Sequence, residues 1–379
     1  MGDYSKALEF YDKALKIFEK TLPPNHTSLA TSYNNIGLVY YHMGDYSKAL
    51  EFYNKALKVY EKTLPPNHPD LAQSYNNIGA AYSGMGDYSK ALEFYDKTLK
   101  IREKTLPANH PDLATSYNNI GFVYYHMGDY SKALEFYDKS LKIFEKTLPP
   151  NHPSLATSYN NIGLVYYHMG DYSKALEFYN KALKMQEKIL PANHPSLATS
   201  YNNIGLVYYH MDDYSKALEF YDKALKIFEK TLPPNHPDLA QSYNNIGLVY
   251  YHMGDYSKAL EFYNKALKVY EKTLPPNHPS LATPYNNIGA AYFGMGDYSK
   301  ALEFYDKTLK IREKTLPPNH PDLAESYNNI GAPYSRMGDY SKALSFLEKT
   351  LAVLQTSLPP AHPHIKIVID NIDYVKKKM

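Results

Sequence analysis

Imidazoles, phenols and amides recur along this sequence at fixed intervals, and they are the groups that could do chemistry. The 15 histidines fall into two main sets. One set follows a loop Asn or Ala and, except at His26, precedes proline, as at His68, His110 and His152. The other closes a Tyr-Tyr-His run, at His42, His126, His168, His210 and His252. A closed zinc site needs about four ligands around one point. The second set supplies one imidazole per 42 residues, and Glu325 is the only acidic residue on the same face of helix A in the eight repeats. No metal and no cofactor is expected. Catalysis by a nucleophile needs a base and an orienting acid beside it at one place. A chain of near-copies has few unique residues from which to build such a place, and there is no glycine-rich phosphate loop. The reading is non-catalytic.

The elements that must position these groups follow from the repeat. Gly-Asp-Tyr-Ser-Lys-Ala-Leu returns at Gly2, Gly44, Gly86, Gly128, Gly170, Gly254, Gly296 and Gly338, and Asp212 stands for glycine in the remaining copy. A constant 42-residue period is the mark of stacked supersecondary units. In the unit from Asn67 to Ala108, His68-Pro69 opens a first helix, because a missing N–H costs nothing at the first helical position. Asp70 suits the helix dipole there. This helix A runs to about Met85. Gly86 takes a left-handed cap and Asp87 caps helix B, which runs from about Tyr88 to Leu106 and stops at Pro107. Helices this short depend on their neighbours for stability.

A helical wheel at about 100° per residue separates two faces of helix A. Leu155, Tyr159, Ile162, Gly163 and Tyr166 form a packing face, with Gly163 allowing close approach. Helix B meets it with Tyr172, Ala175, Leu176, Tyr179, Ala182 and Leu183, and keeps Glu177 and Lys181 on its wet side, in the favourable order. The second face of helix A holds Thr157, Asn160, Asn161, Leu164, Tyr167 and His168. Four successive repeats place an apolar residue, a tyrosine and a histidine on it: Phe122, Tyr125, His126; Leu164, Tyr167, His168; Leu206, Tyr209, His210; Leu248, Tyr251, His252. Ala80, Ser83 and Gly84 on one side, and Ala290, Phe293, Gly294, Ala332, Ser335 and Arg336 on the other, leave roomier stretches. Two roles fit the Tyr/His pairs. They form a contact surface for a partner, tyrosine offering much area with few rotors, or they pack across adjacent helices. As a contact surface, it would become cationic as the histidines protonate near pH 6, making binding pH-sensitive.

Composition narrows the class. The net charge is +2, with Lys and Glu alternating, so no nucleic-acid surface is expected. There is no cysteine, hence no disulfide framework. No apolar run approaches a membrane span and the amino terminus is no signal peptide, so the expected location is cytoplasmic, with no membrane partner.

Tyr-Asn-Asn-Ile-Gly, a later Tyr, then Gly-Asp-Tyr and the Ala, Tyr, Ala that follow resemble a tetratricopeptide repeat, whose usual unit is about 34 residues. The 42-residue spacing and Glu-Lys-x-Leu-Pro before Asn-His-Pro resemble the repeats of kinesin light chains. The resemblance covers nearly the whole chain. It implies an all-α fold, a right-handed α-α superhelical solenoid of helix-turn-helix repeats with helix A lining a concave groove. It also implies that the Asn before each Ile-Gly pair binds the backbone of an extended peptide, an amide being both donor and acceptor. Here these are Asn35, Asn77, Asn119, Asn161, Asn203, Asn245, Asn287 and Asn329. The same amides could instead tie neighbouring helices together. The expected function is a protein-interaction scaffold gripping an extended peptide or a helix of a partner. Almost no lysine or arginine faces the groove, so that partner is not strongly charged. The alternative is a structural spacer or self-associating segment of a larger protein.

The expected organisation is one solenoid over 1–379. Residues 1–22 form a lone helix B of a truncated first unit, 27–362 eight repeats, and 363–379 a polar capping helix ending in Lys376-Lys377-Lys378. Gly44 to Arg102 is echoed 210 residues later by Gly254 to Arg312, as if a five-unit block had been duplicated. Pro284 and Pro333 interrupt helix A, and Pro333, in mid-helix, is expected to kink or loosen it.

Overall fold

The computed structural model describes residues 4–379, so the Gly2-Asp3 turn lies outside the described residues. Every described element is helical. The chain divides into two compact units, Met1–Ile189 and Leu190–Met379. The first holds α1 (Tyr4–Thr21), α2 (Thr27–His42), α3 (Tyr46–Thr63), α4 (Pro69–Gly84), α5 (Tyr88–Thr105), α6 (Pro111–His126), α7 (Tyr130–Thr147), α8 (Pro153–His168) and α9 (Tyr172–Ile189). The second holds α10 (Pro195–His210), α11 (Tyr214–Thr231), α12 (Pro237–His252), α13 (Tyr256–Thr273), a 3-10 turn (Pro279–Leu281) running into α14 (Ala282–Gly294), α15 (Tyr298–Thr315), α16 (Pro321–Arg336), α17 (Tyr340–Ser357) and α18 (Pro363–Lys378). Even-numbered helices are helix A and odd-numbered ones helix B. Within each unit a helix A packs most closely on the helix B that follows it, and that helix B on the next helix A.

The punctuation works as its chemistry requires. The histidine before each helix A, or before the 3-10 turn that leads into α14, is the N-cap: His152 Nδ1 accepts the Ser154 N–H at 3.2 Å, and His110 Nδ1 accepts that of Asp112 at 3.1 Å. This caps one of the orphan donors of a helix start. Asp87 Oδ1 accepts the Lys90 N–H in the same way at the start of helix B. Between the two helices the chain turns through a left-handed residue, Gly86 at φ 78°. Asp212 adopts that conformation at φ 58° with a side chain, and the Tyr214 hydroxyl donates to its Oδ1 at 2.8 Å.

The cores match the wheel. Leu155 and Ile162 are buried, and Ala175, Tyr179, Ala182 and Leu183 meet them. Tyr159 and Tyr166 are half-buried, Tyr166 stacking on Phe178 at 5.6 Å. A Cβ added to Gly163 would lie 2.8 Å from the Tyr179 ring, so the aromatic seat exists only because that residue is glycine. In the last hairpin Leu347 replaces the tyrosine, and the same approach at Gly331 relaxes to 3.4 Å. Repeats are pinned by Tyr–Glu bonds 14 residues apart: Tyr159 donates to Glu145 at 2.7 Å and Tyr117 to Glu103 at 3.0 Å. Burial first, then the Glu145 carboxylate, push the Tyr159 phenol up to about 12. Lys181 pairs with Glu177 at 2.7 Å on the exposed side, where such pairs contribute about 0.5 kcal/mol or less.

The two prolines are accommodated differently. α16 continues through Pro333, three residues before its end at Arg336. So near the terminus the loss of one i to i−4 bond, at the Asn329 carbonyl, is absorbed. Pro284 falls in the first turns instead, where the helix is still nucleating, and there the start tightens into the 3-10 turn at Pro279–Leu281.

Candidate functional site

The second face of helix A stays half-buried or exposed. Asn160, Asn161, Leu164 and Tyr167 are partly buried, while Thr157 and His168 are exposed. The asparagines carried over by resemblance all occupy one phase of this face and are all half-buried.

Several of these amides already hold one another. Asn119 Nδ2 donates to Asn76 Oδ1 at 3.0 Å and Asn161 Nδ2 to Asn118 Oδ1 at 3.1 Å. In the second unit Asn287 Nδ2 donates to Asn244 at 2.8 Å and Asn329 Nδ2 to Asn286 at 3.0 Å. Each bond crosses from one helix A to the preceding one. Two of the set are diverted. Gln73 Nε2 donates to Asn77 Oδ1 and Gln241 Nε2 to Asn245 Oδ1, both at 2.8 Å. The amide oxygens that would have received them, on Asn34 and Asn202, are buried without a protein partner. Asn35 and Asn203 sit half-buried at the same phase. In four doublets the first asparagine, Asn76, Asn118, Asn244 or Asn286, thus joins the row as acceptor, a role sequence reasoning missed although the doublet recurs in every copy.

The aromatic residues also meet between repeats. In the first unit His168 lies 5.5 Å edge-on from Tyr125 and stacks on Tyr130 at 6.0 Å. His126 stacks on Tyr88 at 5.5 Å and lies 4.2 Å from Phe122. In the second, His252 lies 5.5 Å edge-on from Tyr209 and stacks on Tyr214 at 6.2 Å. Tyr251 lies 5.4 Å from its neighbour His252, and Tyr167 lies 5.1 Å from His168. His210 contacts Tyr209 at 5.2 Å. The tyrosine of Gly-Asp-Tyr, assigned above to the core, is therefore also the shelf under the next repeat's imidazole. Burial against these rings lowers the His126 and His168 pKa from the ordinary 6.5.

One expected vacancy is filled. At Gly84 a Cβ would lie 2.7 Å from the Tyr46 ring, and at Gly294 one would lie 2.6 Å from Tyr256. Where the imidazole is missing, the preceding tyrosine moves onto the bare backbone, so Gly84 leaves no space of its own. The far end does open: Phe293, Ala332, Ser335, Arg336 and Tyr374 line a cavity of about 310 Å³.

Among the described residues no group of three or more His, Asp or Glu is placed to hold a metal ion, and no helix is long and apolar enough to cross a membrane.

Comparison with known proteins agrees with this geometry. The tetratricopeptide-repeat family model matches residues 1–62, 112–188, 196–272 and 280–356, and two further models of that description match 71–112 and 160–231. No curated protein matches the sequence. Among solved structures the chain is similar to a kinesin light chain-like protein of nearly identical TPR-like repeats from Podosopora anserina, with 26% identity over 54% of this chain and 97% of that one, at a TM-score of 0.49. The apo form of RapI is 17% identical over 75% of this chain and 98% of its own, at 0.57. A signal transduction ATPase with numerous domains, carrying a tetratricopeptide repeat sensor, from Pyrococcus horikoshii is 18% identical over 98% of this chain and 55% of its own, at 0.66. The last two share the fold alone. With helix hairpins recurring every 42 residues and family matches over most of its length, the chain belongs to the tetratricopeptide-repeat family.

Proposed function

We propose that the chain is a non-catalytic scaffold that binds an extended peptide or a helix of a protein partner along the second face of helix A. The observation that carries this reading is the contrast between faces. One is closed by Leu155, Ile162 and Tyr179, while the other presents amides, tyrosines and imidazoles that are half-open and uncharged at neutral pH. Amides and tyrosines suit a polypeptide, because they match its backbone groups and give contact area at little entropic cost. Tyr125, His126, Tyr167, His168, Tyr209, His210, Tyr251 and His252 are the proposed contact residues, with Asn77 and Asn245 among the amides whose Nδ2 is not directed to the preceding helix.

A second reading has its own support. Asn161–Asn118 and Tyr125–His168 satisfy each other within the chain, as a spacer with an empty face would require. The experiment is recovery of a partner from cell extract by the chain and by its Tyr167→Ala/Tyr209→Ala variant, with helicity checked by circular dichroism and mass by light scattering across concentrations. Loss of the partner in the double variant supports the scaffold. Undiminished recovery, or a mass that rises with concentration and no partner at all, overturns it.

A further inference from the structure

One position of helix B decides whether a hole is left between successive A helices. Phe18, Tyr60, Phe144, Phe228 and Tyr270 occupy it in five copies, and Arg102, Gln186 and Arg312 in three. The rings fill the space: Tyr60 is 4% exposed, Phe144 9% and Phe228 4%. Tyr60 reaches the neighbouring helix, its hydroxyl lying 3.3 Å from Thr31 Oγ1. In α17 the residue is Leu354, the shortest of the series.

The consequence is a pocket of about 550 Å³ between α16 and α18, floored by Leu354 and Leu358 and walled by Ala324, Val368 and Ile367. At Arg102 in the first unit, the corresponding cavity beside Ala72, Gln73 and Leu106 is only about 240 Å³. The mouth has changed as well. Ile367 stands where other A helices carry Thr, Gln or Glu, and it is 55% exposed. The polar rim is mostly engaged. Glu325 pairs with Arg312 at 3.1 Å, Asp322 faces His320 at 3.7 Å, and His362 Nδ1 accepts the His364 N–H. Asn328 and Asn371 remain at the edge, shared with the cavity beside Arg336.

We propose that this pocket binds a Phe or Tyr side chain of a partner polypeptide. The fold itself indicates the occupant: a phenyl or phenol stands at the same place in five other repeats, and the pocket is roomy enough to admit one. Ile367 extends that apolar surface outward, and the Asn328 and Asn371 amides stand where the backbone bearing the ring would pass. The proposal does not rest on the groove reading, and it is tested with a small probe rather than the unidentified partner.

The experiment titrates N-acetylphenylalaninamide, and N-acetylalaninamide as control, into the full chain carrying labelled isoleucine and valine methyls. Saturable shifts at Ile367 and Val368 with the aromatic probe alone are expected. Leu354→Phe, which restores the ring from within, is expected to raise the melting temperature and weaken the probe by about tenfold or more. Should that variant fold poorly, Ile367→Glu at the exposed mouth is expected to give the same loss. No saturable shift, equal response to both probes, or unchanged binding in both variants overturns the proposal. So does a concentration-dependent shift at Ile367 without probe, which would mean that a second copy of the chain occupies the pocket.

Discussion

Asn161 Nδ2 donates to Asn118 Oδ1, 43 residues earlier and one helix A away, over 3.1 Å. The face read from sequence as a peptide-binding row is thus partly a seam between repeats. An amide used in this way offers a ligand only its remaining donor and acceptor capacity.

This seam can be repaired where it is broken. Thr115, Thr157 and Thr283 stand four residues before asparagines that reach the preceding helix, whereas Gln241 captures Asn245 and leaves Asn202 Oδ1 buried without a partner. Gln241→Thr is expected to let Asn245 turn back to Asn202 and to stabilise the second unit by about 1 kcal/mol, the net value of a restored buried hydrogen bond. Urea unfolding, with hydrogen exchange in α10 and α12 as the local readout, checks it. A neutral or destabilising result rejects the Gln/Thr account.

The glycine seats predict a contrast within one molecule. Gly163→Ala places a methyl 2.8 Å from the Tyr179 ring, deep in the core, and overpacking of this kind costs about 1–3 kcal/mol. Gly331→Ala meets Leu347 at 3.4 Å, an adjustable contact, and alanine is the better helix former. It is expected to be neutral or slightly stabilising. Equal losses of melting temperature in the two variants would contradict the aromatic-seat argument.

Asp212 offers a gain. Its φ of 58° is left-handed, a conformation that costs an ordinary L-residue about 1–2 kcal/mol and glycine almost nothing. Asp212→Gly gives up the Tyr214 hydrogen bond but is expected to net about 0.5–1 kcal/mol of stability. Thermal unfolding of the single variant decides the sign.

The imidazole shelf predicts acid sensitivity. Burial lowers the folded pKa of His126 and His168 below 6.5, so folding favours their neutral form. That contribution is complete above the unfolded value of about 6.5 and is lost as pH falls through the lower folded value. Stability should therefore decline on the acid side of 6.5, and the His126→Gln/His168→Gln variant should show a smaller decline between about pH 7 and pH 5. Parallel melting curves against pH for the two proteins would refute the assignment. Partner binding, if it uses these rings, should change over the same lowered window rather than at the ordinary histidine value.

The fold was legible because its signals are local. His-Pro, Gly-Asp and Leu-Pro mark helix ends within a few residues, and the apolar phase of Leu155, Ile162 and Tyr179 gives the packing face. The site was legible only as a face. That Asn161 spends its donor on Asn118 depends on a residue far away in sequence, and that Asn77 does not depends on Gln73 one turn away. Tyr46 closing over Gly84 could not be read from composition, since a small residue signals space only when no neighbour can swing into it. At Pro333 the missing N–H was legible, but how much it costs depends also on the distance to the helix end at Arg336. The pocket at Leu354 needed both kinds of knowledge: which position of the unit faces a neighbour, and how large the residue there usually is.

The Tyr–Glu pins have a genetic consequence. Tyr75 holds Glu61, Tyr117 holds Glu103 and Tyr159 holds Glu145, always over the same 14 positions. Excise the 42 residues that separate Glu61 from Glu103, and Tyr117 meets Glu61 across an identical seam. Slippage during replication can therefore lengthen or shorten such a gene by whole units without stranding a single hydroxyl, and selection sees a change of span before it sees a change of stability.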